Sequence, residues 1–280
     1  MNLNKIKIAI QGVAGSFHEQ AACNYFNSND LNIIYCDTFD QVFNLVSKKN
    51  HLGVIAIENT VAGSILPNYR SLQENNFNIL GETYMRIEQH LMTFPGNKIE
   101  KIKEISSHPM ALRQCQKFLN NHPKIKSVEK EDTAKSAAII EENKLTNAAA
   151  IASEMAAEIY NLEIIERGIE TNKKNFTRFL IISSDKKVIK ADFNKASICF
   201  TIDHSIGSLA KVLTFLSERN LNLTKIQSNP RLGKEWEYFF YVDLLFKDMN
   251  TYLNSMTKLK TMVGELILLG TYKDGIKNKL

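Results

Sequence analysis

The chain is poor in cysteine. Its 280 residues include four, Cys23, Cys36, Cys115 and Cys199, and no two form a CxxC pair. That scatter implies neither a zinc site nor a disulfide framework, so reduced thiols and no bound metal are expected. No stretch approaches the roughly 18 apolar residues of a membrane span, which argues against a membrane partner. Met1 to Lys7 leads into a strand pattern without an apolar signal segment, so the cytoplasm is the expected compartment. An excess of one charge is also missing. The 35 basic and 30 acidic residues are interspersed, giving a net charge of +5, and only Lys273 to Lys279 is noticeably basic. This balance leans toward acidic small molecules and gives no footprint for nucleic acid. Gly12-x-x-Gly15-Ser16 lacks the Gly-Lys-Ser/Thr ending of a P-loop and the GxGxxG dinucleotide fingerprint, and no cofactor is implied.

Present instead is enough apolar material, 44% of the chain, to bury a large core as one large domain or two ordinary ones. Strand patterns at Ile6 to Ile10 and Leu52 to Glu58 each run into small-residue turns, the first followed by a helical pattern from Phe17 to Phe26. Further strands are expected at Glu104 to Ser106, Ser127 to Glu129, Ala148 to Ile151, Leu162 to Glu166 and Thr177 to Ser183. Helices are expected at Ala111 to Leu119, Ala134 to Glu142 and Glu154 to Tyr160. This alternation predicts an α/β domain with mainly parallel sheets and ligands at the carboxyl ends of strands.

Periodicity is lost across the Lys-rich 185–194 segment, which reads as a linker between a domain over 1–184 and another over 195–280. The second domain reads as strand Ala196 to Ile202, helix Ser208 to Arg219, strands Leu221 to Ser228 and Trp236 to Phe246, helix Asn250 to Lys260 and strand Gly264 to Tyr272. This βαββαβ order predicts a small open sheet with helices on one face.

Thr177-Arg178-Phe179 opens an apolar strand, Phe179-Leu180-Ile181-Ile182, with a hydroxyl and a permanent charge. Two readings of Arg178 stand: a bidentate clamp on an acidic ligand, or an ion pair with a carboxylate of the chain itself. Strand alternation puts Thr177 and Phe179 on one face and Arg178 on the other, so serving one ligand would require a twist. Other polar residues gather at strand-to-helix junctions. The backbone near Gly15 with Ser16 could cradle an anion, and Asn59, Thr60 and Ser64 follow the second strand. Ser107-His108-Pro109 reads as a helix start capped by Ser107, and Thr133 precedes another helix. Each alone is explained by turns or capping, while His108 could carry a proton. Together they suggest a cleft for a polyanionic small molecule.

These motifs, in this order, resemble the prephenate dehydratases, monofunctional enzymes of phenylalanine biosynthesis. The resemblance runs from Ile8-Ala9-Ile10-Gln11-Gly12 and Gly15-Ser16-Phe17-His18 through Gly53 to Thr60, Ser107-His108-Pro109 and Asn175-x-Thr177-Arg178-Phe179. It continues in Gly207-Ser208-Leu209-Ala210, Asn222-Leu223-Thr224-Lys225-Ile226 and Trp236-Glu237-Tyr238-Phe239-Phe240, which look like an ACT amino-acid sensor. It implies two α/β lobes, like a type II periplasmic binding protein, with the active site between them, followed by a ferredoxin-like ACT domain.

By that resemblance prephenate loses CO₂ and water to give phenylpyruvate, with Thr177 assisting departure of the hydroxyl and Arg178 holding a carboxylate. Gly15, Ser16, Asn59, Thr60, Ser64, Ser107, Thr133, Asn175 and Phe179 are the expected substrate-binding residues, and Glu58 is expected to orient a neighbour. Phenylalanine is the expected effector, bound by Gly207, Ser208, Leu209, Ala210, Asn222, Leu223, Gln227 and Ser228 in a homodimer or homotetramer. Three positions depart from the family pattern. Met110 stands for a Gln, Phe176 for the first Thr of Thr-Thr-Arg-Phe, and Gln227-Ser228-Asn229-Pro230 for Glu-Ser-Arg-Pro, which removes two charges and predicts a weaker effector response. An alternative for the last segment is a strand-ending turn.

Overall fold

A computed structural model of the chain describes residues 6–49, 51–185 and 192–275. Most of the expected linker, residues 1–5 of the first expected domain and residues 276–280 of the second, lie outside the described residues. The first lobe comprises β1 (Lys7–Gln11), α1 (Phe17–Phe26), β2 (Asn32–Cys36), α2 (Phe39–Lys49), β3 (Leu52–Asn59), β4 (Gly63–Ser64), α3 (Leu66–Glu74) and β5 (Asn78–Arg86). The second comprises β6 (His90–Thr93), β7 (Glu104–Ser107), α4 (Pro109–Gln114), α5 (Gln116–Asn120), β8 (Lys126–Glu129), α6 (Thr133–Glu142), β9 (Ala148–Ala152), α7 (Glu154–Ile159) and β10 (Glu163–Glu166). The chain then returns to the first lobe as β11 (Phe176–Ser183).

Both lobe sheets are mixed, which corrects the expectation of mainly parallel sheets. In the first, ordered β2-β1-β3-β11-β5, the returning β11 runs antiparallel to β3 and β5, while β1 pairs parallel with β2 and β3. In the second, ordered β10-β6-β9-β7-β8, β6 is antiparallel to both its neighbours. The crossover explains the sequence of β11: a strand inserted between two others, with packed layers on both faces, must be apolar throughout, and Phe179 to Ile182 are all buried.

The single helix expected at Ala111 to Leu119 is two short ones, broken at Cys115. The break is stabilised from outside. Thr171, in the returning segment, donates its backbone N–H to the Gln114 carbonyl (2.8 Å) and accepts from the Lys117 N–H through Oγ1 (3.3 Å).

The C-terminal module consists of β12 (Lys195–Thr201), α8 (Ser208–Glu218), β13 (Asn222–Pro230), β14 (Tyr238–Leu245), α9 (Met249–Leu259) and β15 (Leu266–Tyr272). Its antiparallel sheet has the order β13-β14-β12-β15. One face is covered by α8 and α9 through Val212, Leu216, Tyr252 and Leu259. From the other, Cys199, Tyr241, Leu269 and Tyr272 join Val42, Ile55, Leu72 and Leu180 of the first lobe in one core. The sheet is thus sandwiched between its own helices and the first lobe. Contact is close at Gly270, where an added Cβ would come 2.7 Å from the Cβ of Ile79. Gln227 to Pro230 lies within β13, so the strand-ending turn is not formed.

Candidate active site

β3 and β11 lie side by side, and their ends carry polar residues next to a cleft between the lobes. From Ile182 to Phe179 the register is regular, ending with Phe179 opposite Ala56; the next pair is Arg178 opposite Glu58, which leaves Ile57 as an extra residue in β3. That β-bulge shifts the alternation of β3 by one. Asn59 consequently turns to the Thr177 side of the sheet, while Glu58 joins Arg178 on the side facing the C-terminal module.

On the first side, Asn59 Nδ2 donates to Thr177 Oγ1 (2.9 Å) and Asn175 Oδ1 (2.8 Å), while its Oδ1 accepts from the backbone N–H groups of Val61 (2.9 Å) and Ala62 (2.8 Å). Those backbone donors fix the orientation of the amide. They also fix Asn175, whose Oδ1 is occupied and whose Nδ2, in a side chain only 1% exposed, has no hydrogen-bond partner among the described residues. Asn175 lines a cleft of about 550 Å³. Val61 from the first lobe, Arg113, Gln114 and Lys117 from the second, and Glu170 from the return segment also line it. A cleft lined by two cationic side chains, with Asn175 and its unsatisfied amide in the wall, suits an oxygen-rich anionic ligand. Thr177 is 8% exposed, and neither it nor Asn59 lines the cleft; the pair lies behind the wall and connects to it where Asn59 donates to Asn175.

The Arg178 guanidinium lies on the opposite side, 3% exposed, and the ligand-clamp expectation is corrected. Its Nε donates to Glu82 (2.6 Å), Nη1 pairs with Asp243 and with Glu58 (3.4 Å), and Nη2 donates to the Tyr272 hydroxyl (3.0 Å). Burial opposes charge on the guanidinium, but Asp243, Tyr272 and Glu82 outweigh it and hold its pKa well above the ordinary value. Likewise, burial pushes the Asp243 carboxyl up, and Arg178 with the Ser197 hydroxyl more than reverses this, keeping it below the usual range. In the structure Arg178 is engaged in an internal ion pair, as the second of the two readings has it.

Several other expected ligand groups are engaged in the fold. Ser16 caps α1, and the Gly15 N–H donates to Glu19 Oε2 (2.7 Å), so the anion held at this turn is the chain's own Glu19. Gly15 and Ala14 join the lobes, their carbonyls accepting from Ser153 Oγ (2.6 Å) and Tyr160 (2.9 Å). Thr60 Oγ1 donates to the Lys174 carbonyl (2.9 Å) and accepts from the Phe176 N–H (2.9 Å), tying the return segment to β3. Ser64 accepts from Lys225 of the module (2.8 Å).

Ser107 is fully buried and donates to the Ile151 carbonyl (2.6 Å); the cap of α4 is His108, whose Nδ1 accepts from the Met110 N–H (3.2 Å). Burial lowers the His108 pKa, and its ring lines a separate cavity with Glu129 and Lys135. Asp132 caps α6, where Thr133 was expected to precede the helix and is instead its first residue. Phe179 is a core residue, packed edge-on against His18 with ring centroids 5.2 Å apart.

In the module, Gly207, Ser208, Leu209 and Ala210 line a cavity of about 550 Å³ with Trp236 and Phe240. Asn222 and Leu223 lie elsewhere, at the start of β13, and Gln227 and Ser228 do not line the Gly207 cavity. Sequence reasoning missed Arg113, Gln114 and Lys117. Their signal was slight: two cations at i and i+4 following Ser-His-Pro.

The chain is similar to known proteins in sequence and fold. A family model described as prephenate dehydratase matches residues 8–187. The bifunctional chorismate mutase/prephenate dehydratase of Aquifex aeolicus (strain VF5) is 36% identical over 272 residues, covering 96% of this chain and 74% of that protein. Two solved structures each superimpose with a TM-score of 0.85 over 96% of this chain. One, described as GqqA, a novel type of quorum quenching acylase, is 26% identical and covered over 98% of its length. The other, prephenate dehydratase from Arthrobacter aurescens in complex with L-Phe, is 24% identical and covered over 90%, a likeness of fold. The chain belongs to the prephenate dehydratase family and is a lyase of phenylalanine biosynthesis.

Proposed function

We propose that prephenate binds in the cleft between the lobes and that Thr177 assists loss of its ring hydroxyl as CO₂ leaves, giving phenylpyruvate. The observation that carries this reading is the Asn59–Thr177 hydrogen bond. With an oxygen lone pair occupied by the Asn59 amide, the Thr177 proton is left to point at a leaving group. A threonine hydroxyl is a poor acid, so the proton moves in concert with C–O cleavage. Aromatisation of the ring supplies the driving force, and positioning with hydrogen bonding suffices.

The substrate carboxylates would meet Arg113, Lys117 and the Asn175 amide, in place of Arg178. Because Thr177 sits behind the cleft wall, the substrate reaches it only when Asn175 moves aside from Asn59. Prephenate is favoured over arogenate because an amine would need a free carboxylate. Among the described residues lining the cleft, Glu170 is the one carboxylate, and it is held by the Gln89 N–H (3.0 Å) and Arg86 (3.5 Å).

In this reading residues 1–184 form the catalytic domain and 195–280 an ACT domain that pairs with a second copy and takes phenylalanine beside Gly207 to Ala210. Gly207, at φ +81°, keeps a backbone approach open there. The setting is the cytoplasm. Following phenylpyruvate absorbance after prephenate is added tests the activity. No turnover by folded protein would refute it, and a titration with phenylalanine, repeated on Gly207→Val, tests the effector site.

A further inference from the structure

Glu58 and Arg178 immediately neighbour Asn59 and Thr177 in sequence, yet both point away from the cleft into the C-terminal module. Glu58 pairs with Lys225 of β13, whose ammonium also donates to Ser64 (2.8 Å). Arg178 pairs with Asp243 of β14 and donates to Tyr272 of β15 (3.0 Å). Asp243 is held in turn by Ser197 of β12. Glu82 of the first lobe links Arg178 (2.6 Å) to Lys195 (2.7 Å), the first residue of β12. Three strands of the module, β13, β14 and β15, therefore bond directly to the two strands that carry the Asn59–Thr177 pair, and β12 reaches them through Asp243 and Glu82.

The geometry is specific. The bulge at Ile57 is what puts Glu58 on the module side and Asn59 on the Thr177 side; with regular register Glu58 would not stand beside Arg178. A backbone shift at either strand end must move both members of a neighbouring pair, because adjacent side chains share one peptide unit. Packing alone would not require charges here. Apolar side chains of similar volume usually fill such a boundary at no loss of stability, so a buried network suits placement better than adhesion.

We infer that Arg178 and Glu58 are positioning residues: through Asp243 and Lys225, the C-terminal module sets where Thr177 and Asn59 stand at the cleft. The inference rests on the reading that Thr177 assists the leaving group. It assigns the module a part in turnover itself, whether or not an effector is bound.

The test is a double-mutant cycle in the full-length protein. Lys225→Met removes the Glu58 tie at a partly accessible site, and Asp243→Asn removes the charge facing Arg178 at nearly constant shape. Each is made alone and in a Thr177→Val background. Each alone should lower kcat about tenfold with KM changed less than about twofold, the scale expected of a sub-ångström misplacement. Lys225→Arg should restore kcat. In the Thr177→Val background neither variant should lower kcat further, because the group they position is gone. Unchanged kcat in the single variants, or the same tenfold loss on top of Thr177→Val, overturns the inference while leaving the role of Thr177 intact. Normal turnover by Thr177→Val refutes that role and the inference with it. If circular dichroism finds Asp243→Asn unfolded, Lys225→Met decides alone.

Discussion

Asn59 Nδ2 lies 2.9 Å from Thr177 Oγ1 and donates to it, so the two residues act as one polar unit with a defined direction. Asn59→Asp would keep the shape and the oxygen that accepts from the Val61 and Ala62 N–H groups, but would replace the donor by an acceptor. The Thr177 proton would then turn toward residue 59. On this reasoning kcat falls on the order of 100-fold with KM changed only a few-fold, and Thr177→Val behaves alike. Steady-state kinetics on prephenate check this.

Arg113 and Lys117 are exposed side chains at the cleft, where they contribute attraction more than transition-state geometry. Replacing either with Met should raise KM about tenfold at low salt and leave kcat nearly unchanged. The penalty should shrink as ionic strength rises and screens the wild-type interaction. Titrating KM against salt for both variants measures it.

Arg178→Met would leave Asp243 buried without its main partner and Glu82 with Lys195 as its remaining buried cation. A loss of about 3–5 kcal/mol in unfolding free energy is expected, read from urea melts. A substrate clamp would behave in the opposite manner, with KM raised and stability unchanged.

Gly15, at φ +81°, lies against α7 of the other lobe, and an added Cβ would come 2.6 Å from Ala156 Cα. Gly15→Ala should therefore cost about 1–3 kcal/mol from backbone strain alone, and the contact between lobes should loosen. Thermal unfolding gives the first quantity, and limited proteolysis near Ser153 the second.

His18 is enclosed by Phe39 and Phe179, and its Nε2 accepts from the Ala56 N–H (3.2 Å). Burial lowers its pKa to about 4. The unfolded chain takes up this proton near pH 6.5, and the folded chain only near 4. The neutral ring's contribution is thus fully present above about 6.5 and is lost as pH falls toward 4. Urea melts at pH 7 and pH 4.5 should show a smaller acid-induced drop for His18→Gln than for the parent.

Much of the fold was legible in the sequence because its signals are local. The helix at Phe17 to Phe26 follows from a serine cap and an apolar face, and the apolar runs of β3 and β9 mark themselves as buried strands. Elements without such contrast escaped notice. β2 keeps Ile33, Ile34 and Tyr35 partly exposed at the sheet edge, while α2, entered where Thr38 Oγ1 accepts from the Gln41 N–H (3.2 Å), and β5, following Asn76 at φ +54°, went unread despite their local signals. Sheet direction was not legible either, since it depends on β11 crossing from one lobe back into the sheet of the other.

The same division holds at the site. From the sequence alone came the polar residues Asn59, Asn175 and Thr177, the alternation that separates Thr177 from Arg178, and the βαββαβ order of the module. Only the tertiary structure decided which anions Arg178 would meet. Its partners Glu82 and Asp243 are 96 and 65 residues away in the chain. One residue of bulge at Ile57 determined that Glu58 would follow Arg178 to the module side while Asn59 faced Thr177. Residue order fixes what a strand can present, but the face each residue occupies depends on register with a neighbouring strand, and that is set by packing between segments distant in sequence.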